Sequence, residues 1–235
     1  MSHRTLSLAP LAVFAGLSLL AGCQTHASAI ADQATTTSGA ASPAAAPSSV
    51  FTTLKTAVGT NPGSAGDGTP LVPKPGDQLA AFAEGCFWGS ENTFRHVDGV
   101  VATAVGYAGG HTSHPTYEDV CSHTTGHAET VLVEFDPKRV TYERLLQAFW
   151  DTHDPTTLNR QGPDIGDSYR SEIFFFSPEQ ERAARASMVE EQKQYGRPIT
   201  TRVEAIGPFW KAEGYHQQYD EKQGRESCPL PRRKG

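Results

Sequence analysis

The sequence predicts an α+β fold: a ferredoxin-like split βαβ two-layer sandwich with an extra C-terminal helix and strand and a long coil tail. Three observations carry that prediction. Apolar runs and helix-period stretches alternate as strand, helix, strand, strand, helix, strand, with one more helix and strand behind them. The helical stretches carry apolar stripes suited to covering one face of a sheet. No internal repeat divides the chain.

The elements follow in order. Leu79, Ala80, Ala81, Phe82 and Ala83 make a short strand over 78–83. Phe87, Trp88, Glu91, Phe94 and Val97 recur with helical spacing over 88–97, and Asp98-Gly99 stops that helix. The run 100–107 is almost wholly apolar and reads as a strand buried on both faces. Gly109-Gly110 opens a long polar excursion over 111–126 that holds Pro115-Thr116-Tyr117 and Cys121. A third strand covers 129–135. Thr141 then caps a helix whose Tyr142, Leu145, Leu146, Phe149 and Trp150 share one face. A second polar excursion runs over 153–170, and a fourth strand covers 172–176. Ser177-Pro178-Glu179-Gln180 is a helix start, with proline at the first helical position and Gln180 placed for a capping box. That helix extends to about 195. A fifth strand covers 201–206, the stretch 210–219 is loosely helical, and the tail carries Cys228.

The fold occupies only part of the 235 residues. Ser2-His3-Arg4 is a basic start, and 6–20 is an apolar stretch too short to span a bilayer comfortably. It ends in Leu20-Ala21-Gly22-Cys23, the pattern of a bacterial lipoprotein signal, with cleavage before Cys23 and acylation of its thiol. Several acyl chains hold a protein at a membrane where one chain is marginal. The expectation is a signal peptide over 1–22, lipidation at Cys23, and an exported protein facing the periplasm. Gln24 lacks the acidic character associated with inner-membrane retention, which favours the outer membrane. Residues 23–76 are rich in Ala, Ser, Thr, Pro and Gly and read as a disordered tether, because they bury too little apolar surface to offset ordering entropy. Val50, Phe51, Leu54 and Val58 form a patch that either docks on the body or makes a short helix. The folded domain is then 77–235. Net charge is −6, with no basic face, which argues against nucleic acid as a partner. A monomer is expected.

The chain has four cysteines, and lipidation of Cys23 leaves Cys86, Cys121 and Cys228. An odd number is no disulfide framework. Cys86 lies in Gly85-Cys86-Phe87-Trp88-Gly89-Ser90-Glu91, at a strand-to-helix turn between glycines and beside two aromatics. Helix-start N–H groups favour an anion there, and such a site lowers a thiol from its usual pKa of ~8.5. Cys86 is thus the candidate nucleophile. Glu129 opens an apolar strand: either partial burial raises its carboxyl and makes it a proton donor near neutral pH, or it is a strand-edge acid in water. Tyr117 and Tyr169 lie in the two polar excursions, where they either pack or offer O–H groups to a substrate oxygen. Asp164 in Gly162-Pro163-Asp164 is by default a turn residue. Cys228, in a loose tail, suits a resolving thiol, with a free thiol or an intermolecular bridge as the alternatives. His127-x-Glu129 has no second ligand pair nearby, so no metal is expected.

Beyond the Cys86 run, Gly106-Tyr107-x-Gly109-Gly110, Pro115-Thr116-Tyr117, Thr125-Gly126-His127-Ala128-Glu129, Phe149-Trp150, His153-Asp154-Pro155, Gln161-Gly162, Tyr169-Arg170-Ser171 and His216-Gln217-Gln218-Tyr219 occur in that order. Together they resemble the A-type peptide methionine sulfoxide reductases, from about Ala80 to Cys228. The resemblance implies reduction of the S epimer of methionine sulfoxide, protein-bound or free, as repair of oxidised protein. It implies Cys86 as nucleophile, Glu129 as acid, Tyr117 and Tyr169 as hydroxyls on the oxygen, and Asp164 as a support acting through water. Phe87 and Trp88 match the apolar pocket for the substrate methyl, and Cys228 matches the resolving cysteine. It implies no cofactor and a thioredoxin-type dithiol as external reductant. The residues before Cys228, Gln223-Gly224-Arg225-Glu226-Ser227, depart from the family's usual tail, which puts the tail's geometry in question. Two other readings stand beside this one: a two-cysteine thiol peroxidase, and a methionine-binding lipoprotein module without turnover.

Overall fold

The computed structural model describes residues 57–225. The expectations for the leader, for Cys23, for Val50, Phe51 and Leu54, and for Cys228 lie outside them. The described elements in chain order are β1 (Gln78–Glu84), α1 (Phe87–Arg95), β2 (Val100–Ala108), α2 (Tyr117–Cys121), β3 (Ala128–Phe135), α3 (Tyr142–Thr152), β4 (Arg160–Gln161), β5 (Asp164–Ile165), β6 (Ser171–Phe175), α4 (Pro178–Gln192), β7 (Arg202–Ala205), β8 (Trp210–Lys211) and α5 (Tyr219–Lys222).

The four long strands stand in the order β6-β1-β3-β2, every neighbouring pair antiparallel. That is the split βαβ plan: β1 and β2, joined by α1, are separated by β3. The sheet grows at both edges. Helix α4 carries the chain from β6 to a parallel partner, β7, and β8 adds an antiparallel bridge on β2. On one face Ala80, Phe82, Val131 and Val133 meet Phe94 of α1 and Tyr142, Leu145 and Phe149 of α3. The Phe82 and Phe94 rings stack at 4.8 Å, with Phe149 at 5.5 Å from Phe82. Rings offset in this way contribute roughly 0.5–1.5 kcal/mol per pair beyond the area they bury.

The opposite face corrects the tether expected over 23–76. Ala81, Ala83, Leu132 and Phe174 are covered by Ala65, Leu71 and Phe209, so part of that polar-looking segment closes the core. Its order comes from hydrogen bonds that composition hides. Gly59 bridges β2, donating to the Val101 carbonyl at 2.8 Å while its own carbonyl accepts from Thr103 at 3.1 Å. Glu134 of β3 is wholly buried and accepts from the N–H of Gly63 at 3.2 Å and of Lys74 at 2.6 Å. A carboxyl on a dry sheet face needs such donors, and the incoming segment supplies them.

A second correction concerns 210–219, which is not helical at its start. Trp210 and Lys211 pair with Tyr107 and Gly106 of β2. The Gln217 amide then takes the place of a strand partner, accepting from Val105 N and donating to Val105 O, both at 2.9 Å. Helix begins only at Tyr219. The first polar excursion, read as loop, contains α2, started by a Thr116–Asp119 capping box. The helix from Pro178 ends at Gln192, and Gln180 accepts from Phe176 N and donates to the Leu79 carbonyl rather than closing a box with Ser177.

Candidate active site

Cys86 caps the N-terminus of α1, one residue after the strand-to-helix corner. The corner depends on Gly85. Its φ is +105°, and a Cβ there would stand 2.7 Å from Cβ and Cγ of Gln161. Absence of a side chain therefore does two things: it permits the turn and lets the β4–β5 hairpin close over it. That hairpin brings Asp164, paired with Gln161, to the nucleophile's side.

Glu129, near the start of β3 and opposite Tyr107 of β2, is 3% exposed. Its Oε2 accepts the Phe87 N–H at 3.0 Å, so the carboxyl is fastened to the first residue of α1, beside Cys86. Burial pushes Glu129 up to about 8, the charge of Asp164 adds to the rise, and the Phe87 N–H opposes it. The raised carboxyl read from the sequence is what its surroundings impose.

The thiol goes the other way from the expectation. Burial, then the charges of Glu129 and Asp164, push Cys86 up to about 12, and the N–H groups of Trp88 and Gly89 only moderate the rise. The helix start is present, but burial of the half-buried thiol, with the two carboxyls adding to it, outweighs it. The resting site at neutral pH therefore holds a thiol, not a thiolate.

Tyr117 and Tyr169 arrive from α2 and from the turn Asp167–Tyr169. Tyr117 is half-buried and its hydroxyl bonds the Cys121 side chain; its N–H donates to Glu213 at 2.9 Å. Tyr169 faces Glu129, Cys121, Asp164 and Cys86. Burial raises both phenols, Tyr117 further through its bond with Cys121 and Tyr169 through the charge of Glu129, so both keep their O–H protons. Burial also raises Asp164 above the ordinary carboxylate range.

The two aromatics beside Cys86 occupy different positions. Phe87 is 1% exposed, its ring 5.1 Å from His216 and 6.0 Å from Tyr107. It is a wall behind the site with almost no open face. Trp88 is half-buried, donates its indole N–H to Nδ1 of His216 at 3.0 Å, and stacks on Tyr219 at 3.9 Å. The region after 210 thus supplies residues that sequence reasoning left without a role. His216 also lies 4.5 Å from the Tyr117 ring. Glu213 accepts from the Tyr107 hydroxyl at 2.9 Å as well as from Tyr117. Glu91 of α1 accepts from Gln218 twice, at 2.6 and 2.7 Å, and Arg95 pairs with Glu221 at 2.8 Å. The order of residues in His216-Gln217-Gln218-Tyr219 was visible; the helix they would lie against was not. Among the described residues no three His, Cys, Asp or Glu side chains group as metal ligands.

What this arrangement can do chemically is polarise and protonate an oxygen next to a sulfur nucleophile, with Trp88 as an apolar neighbour. Comparison with known proteins follows the same line. The sequence pattern of the family described as "Peptide methionine sulfoxide reductase" matches residues 78–234. The "Peptide methionine sulfoxide reductase MsrA" of Geobacter sulfurreducens is 61% identical over 153 residues, 64% of this chain and 94% of that protein. The protein of the same name from Methanothermobacter thermautotrophicus is 58% identical over 157 residues, 66% of this chain and 93% of that one. Two solved structures are similar at a TM-score of 0.62. One is Mxr1 from Saccharomyces cerevisiae in reduced form, 37% identical, covering 67% of this chain and 91% of that one. The other is methionine sulfoxide reductase A of Corynebacterium diphtheriae, 34% identical, covering 78% and 94%.

Proposed function

The chain belongs to the peptide methionine sulfoxide reductase family, and from that premise we propose that Cys86 attacks the sulfur of a methionine S-sulfoxide while Glu129 hands a proton to its oxygen. The activity is reduction of methionine sulfoxide to methionine. The observation that carries this division of roles is the shared anchor: the Phe87 N–H binds Glu129 next to Cys86, so acid and nucleophile are held by one turn.

Glu129, protonated at pH 7, and the hydroxyls of Tyr117 and Tyr169 hydrogen-bond the sulfoxide oxygen. Proton transfer to that oxygen makes the sulfoxide sulfur electrophilic and leaves a carboxylate that takes the Cys86 thiol proton. The sulfur of Cys86 then bonds the activated centre, the oxygen passes to it as hydroxyl, and methionine leaves. Cys86 becomes a sulfenic acid, oxidised by two electrons as the sulfoxide is reduced by two. Because the thiol resists ionisation while the site is empty, the nucleophile forms only when an oxygen is there to receive the proton, which limits wasteful oxidation of Cys86. Trp88 offers the apolar side for the methyl group, since sulfur–aromatic contacts contribute roughly 0.3–1.5 kcal/mol each, and Phe87 backs it.

Recycling uses Cys228. Its thiol condenses with the Cys86 sulfenic acid, releasing water and forming a disulfide, which a thioredoxin-type dithiol then opens by exchange. No bound cofactor is needed. The leader and Leu20-Ala21-Gly22-Cys23 support an exported lipoprotein anchored through Cys23 in the outer membrane and facing the periplasm. Its reductant there is a thioredoxin-like domain. Mass spectrometry of the mature N-terminus tests the anchor: an acylated Cys23 is expected, and an unmodified, longer N-terminus contradicts it.

The roles are tested by incubating reduced protein with a methionine S-sulfoxide without added reductant, then counting methionine formed and thiols lost. One methionine per chain with loss of Cys86 and Cys228 thiols is expected. Peroxide consumption without sulfoxide turnover would replace the assignment with a thiol peroxidase, and no thiol loss would leave only a binding module.

A further inference from the structure

Two residues before Cys86 stands a carboxyl that the chemistry above does not use. Glu84 ends β1, its side chain 2% exposed. Its Oε2 is 2.9 Å from the Thr152 hydroxyl at the end of α3. That hydroxyl also lies 3.0 Å from the Ala148 carbonyl and 2.9 Å from the Phe149 carbonyl. A hydroxyl has one hydrogen, and a carbonyl cannot donate. Thr152 donates to Glu84, and because that one hydrogen is shared with the two helix carbonyls it is a weak partner for a buried anion. Across the corner, the Ser90 hydroxyl donates to the Cys86 carbonyl at 3.1 Å and faces the Glu84 carboxyl. Oε1 of Glu84 has no hydrogen-bond partner, an arrangement far more costly for an anion than for an acid.

The groups around it agree. Among the described residues, His153 at the end of α3 is the one basic side chain within ion-pair range, its Nδ1 4.0 Å from Oε2. That nitrogen is already bonded to the Phe149 carbonyl at 2.8 Å, and Nε2 to the Ser171 hydroxyl at 2.7 Å. From β6, Ser171 is the residue opposite Glu84, and from α1 come Ser90 and the Cys86 turn.

We propose that Glu84 is a positioning residue, held as a neutral carboxylic acid, that ties the Cys86 turn to the end of α3 through Thr152 and Ser90, and that its ionisation loosens the turn and slows the reaction in alkali. The proposal rests on Cys86 as the nucleophile. Burial pushes Glu84 up to about 8, hydrogen bonds from Thr152 and Ser90 opposing the rise, so the change falls within the working range.

The test compares Glu84→Gln and Glu84→Leu with the parent chain in thermal unfolding and in single-turnover methionine release from pH 4.5 to 9.5. An acid whose folded pKa lies above its unfolded one stabilises the fold fully below the unfolded pKa, and that contribution drains away as pH rises to the folded one. Glu84→Gln should therefore gain in melting temperature over the parent progressively between pH 4.5 and 8, with no further gain above. Glu129 is common to both chains and cancels. In single turnover the alkaline limb should become one proton shallower in Glu84→Gln. Glu84→Leu should lose roughly tenfold in rate through misplacement of the turn, with Glu84→Gln restoring it. A melting difference that does not vary with pH overturns the proposal, as does a Glu84→Gln that melts lower at neutral pH, the mark of a Glu84–His153 ion pair. An unchanged alkaline limb overturns the link to the turn. If Cys86→Ser still releases methionine, the reading of the nucleophile fails instead, and the melting data stand apart from it. Should Glu84→Leu fail to fold, the Glu84→Gln curves decide alone.

Discussion

Replacing Glu129 by glutamine separates proton delivery from hydrogen bonding. Glu129 sits at about 8, so roughly nine-tenths of it is protonated at pH 7 and roughly one-tenth at pH 9. A positioned general acid contributes ~10²–10⁴-fold. The amide still hydrogen-bonds the oxygen but releases no proton, so the loss belongs in the lower half of that range, about 10²–10³-fold in the single-turnover rate at pH 7. The roughly tenfold fall in available acid between pH 7 and 9 should also vanish from the variant's profile. Unfolding is not the cause of the loss, because the sign of the stability effect is opposite. With a folded value near 8 and an ordinary value of 4.5, the acid's contribution to stability is complete below pH 4.5 and gone by about pH 8. Glutamine has no such dependence, so Glu129→Gln should be more stable than the parent at pH 7 by up to a few kcal/mol. The assay is rapid-quench methionine release alongside thermal melts. A variant within threefold of the parent rate, or one that melts lower at pH 8 than the parent, would refute the reasoning.

Other perturbations follow from the same geometry. Cys228→Ser should release one methionine per chain and then stop, with thioredoxin unable to restore turnover; sustained turnover would exclude Cys228 as the resolving thiol. Tyr117→Phe and Tyr169→Phe should each lower the single-turnover rate by roughly 10- to 100-fold, and together by more than ~10²-fold, because each removes one donor to the oxygen and hydrogen bonds to a developing charge are worth roughly 1.5–3 kcal/mol. Gly85→Ala should destabilise by at least ~1–3 kcal/mol, since φ of +105° and Gln161 at 2.7 Å both oppose a Cβ; denaturant unfolding measures it, and a neutral result would mean the corner can shift.

Most of the sheet was legible because its strands are long apolar runs and its helices announce their starts. Thr141 and Ser177 cap as expected. What was hidden depends on contacts distant in sequence. The segment 57–76 looks like tether by composition, and the groups that hold it, the β2 edge at Gly59 and Glu134 some sixty to seventy residues away, are distant in sequence. The stretch from Trp210 looks helical until β2 offers an edge. In the site, Gly85, Cys86 and Glu129 were marked by local context, a glycine corner and an apolar strand with an acid at its mouth. His216, Glu213 and Glu84 were not, since their significance lies in Trp88, Tyr107 and Thr152 on other elements. The direction of the Cys86 shift was misread for a related reason: helix N–H groups are evident in sequence, but the burial that outweighs them, and the two carboxyls that add to it, arise only in the fold.

The measurement that bears most directly on the whole account is the ionisation of Cys86, followed by thiolate absorbance and by alkylation rate in a chain lacking Cys121 and Cys228, with and without a bound sulfoxide analogue that cannot be reduced. The expected result is a thiol that stays protonated through pH 9 when the site is empty and loses its proton near neutrality once an oxygen occupies the space between Glu129 and the tyrosines. A Cys86 that is already thiolate at pH 7 in the empty site, or that ignores the analogue, would contradict it.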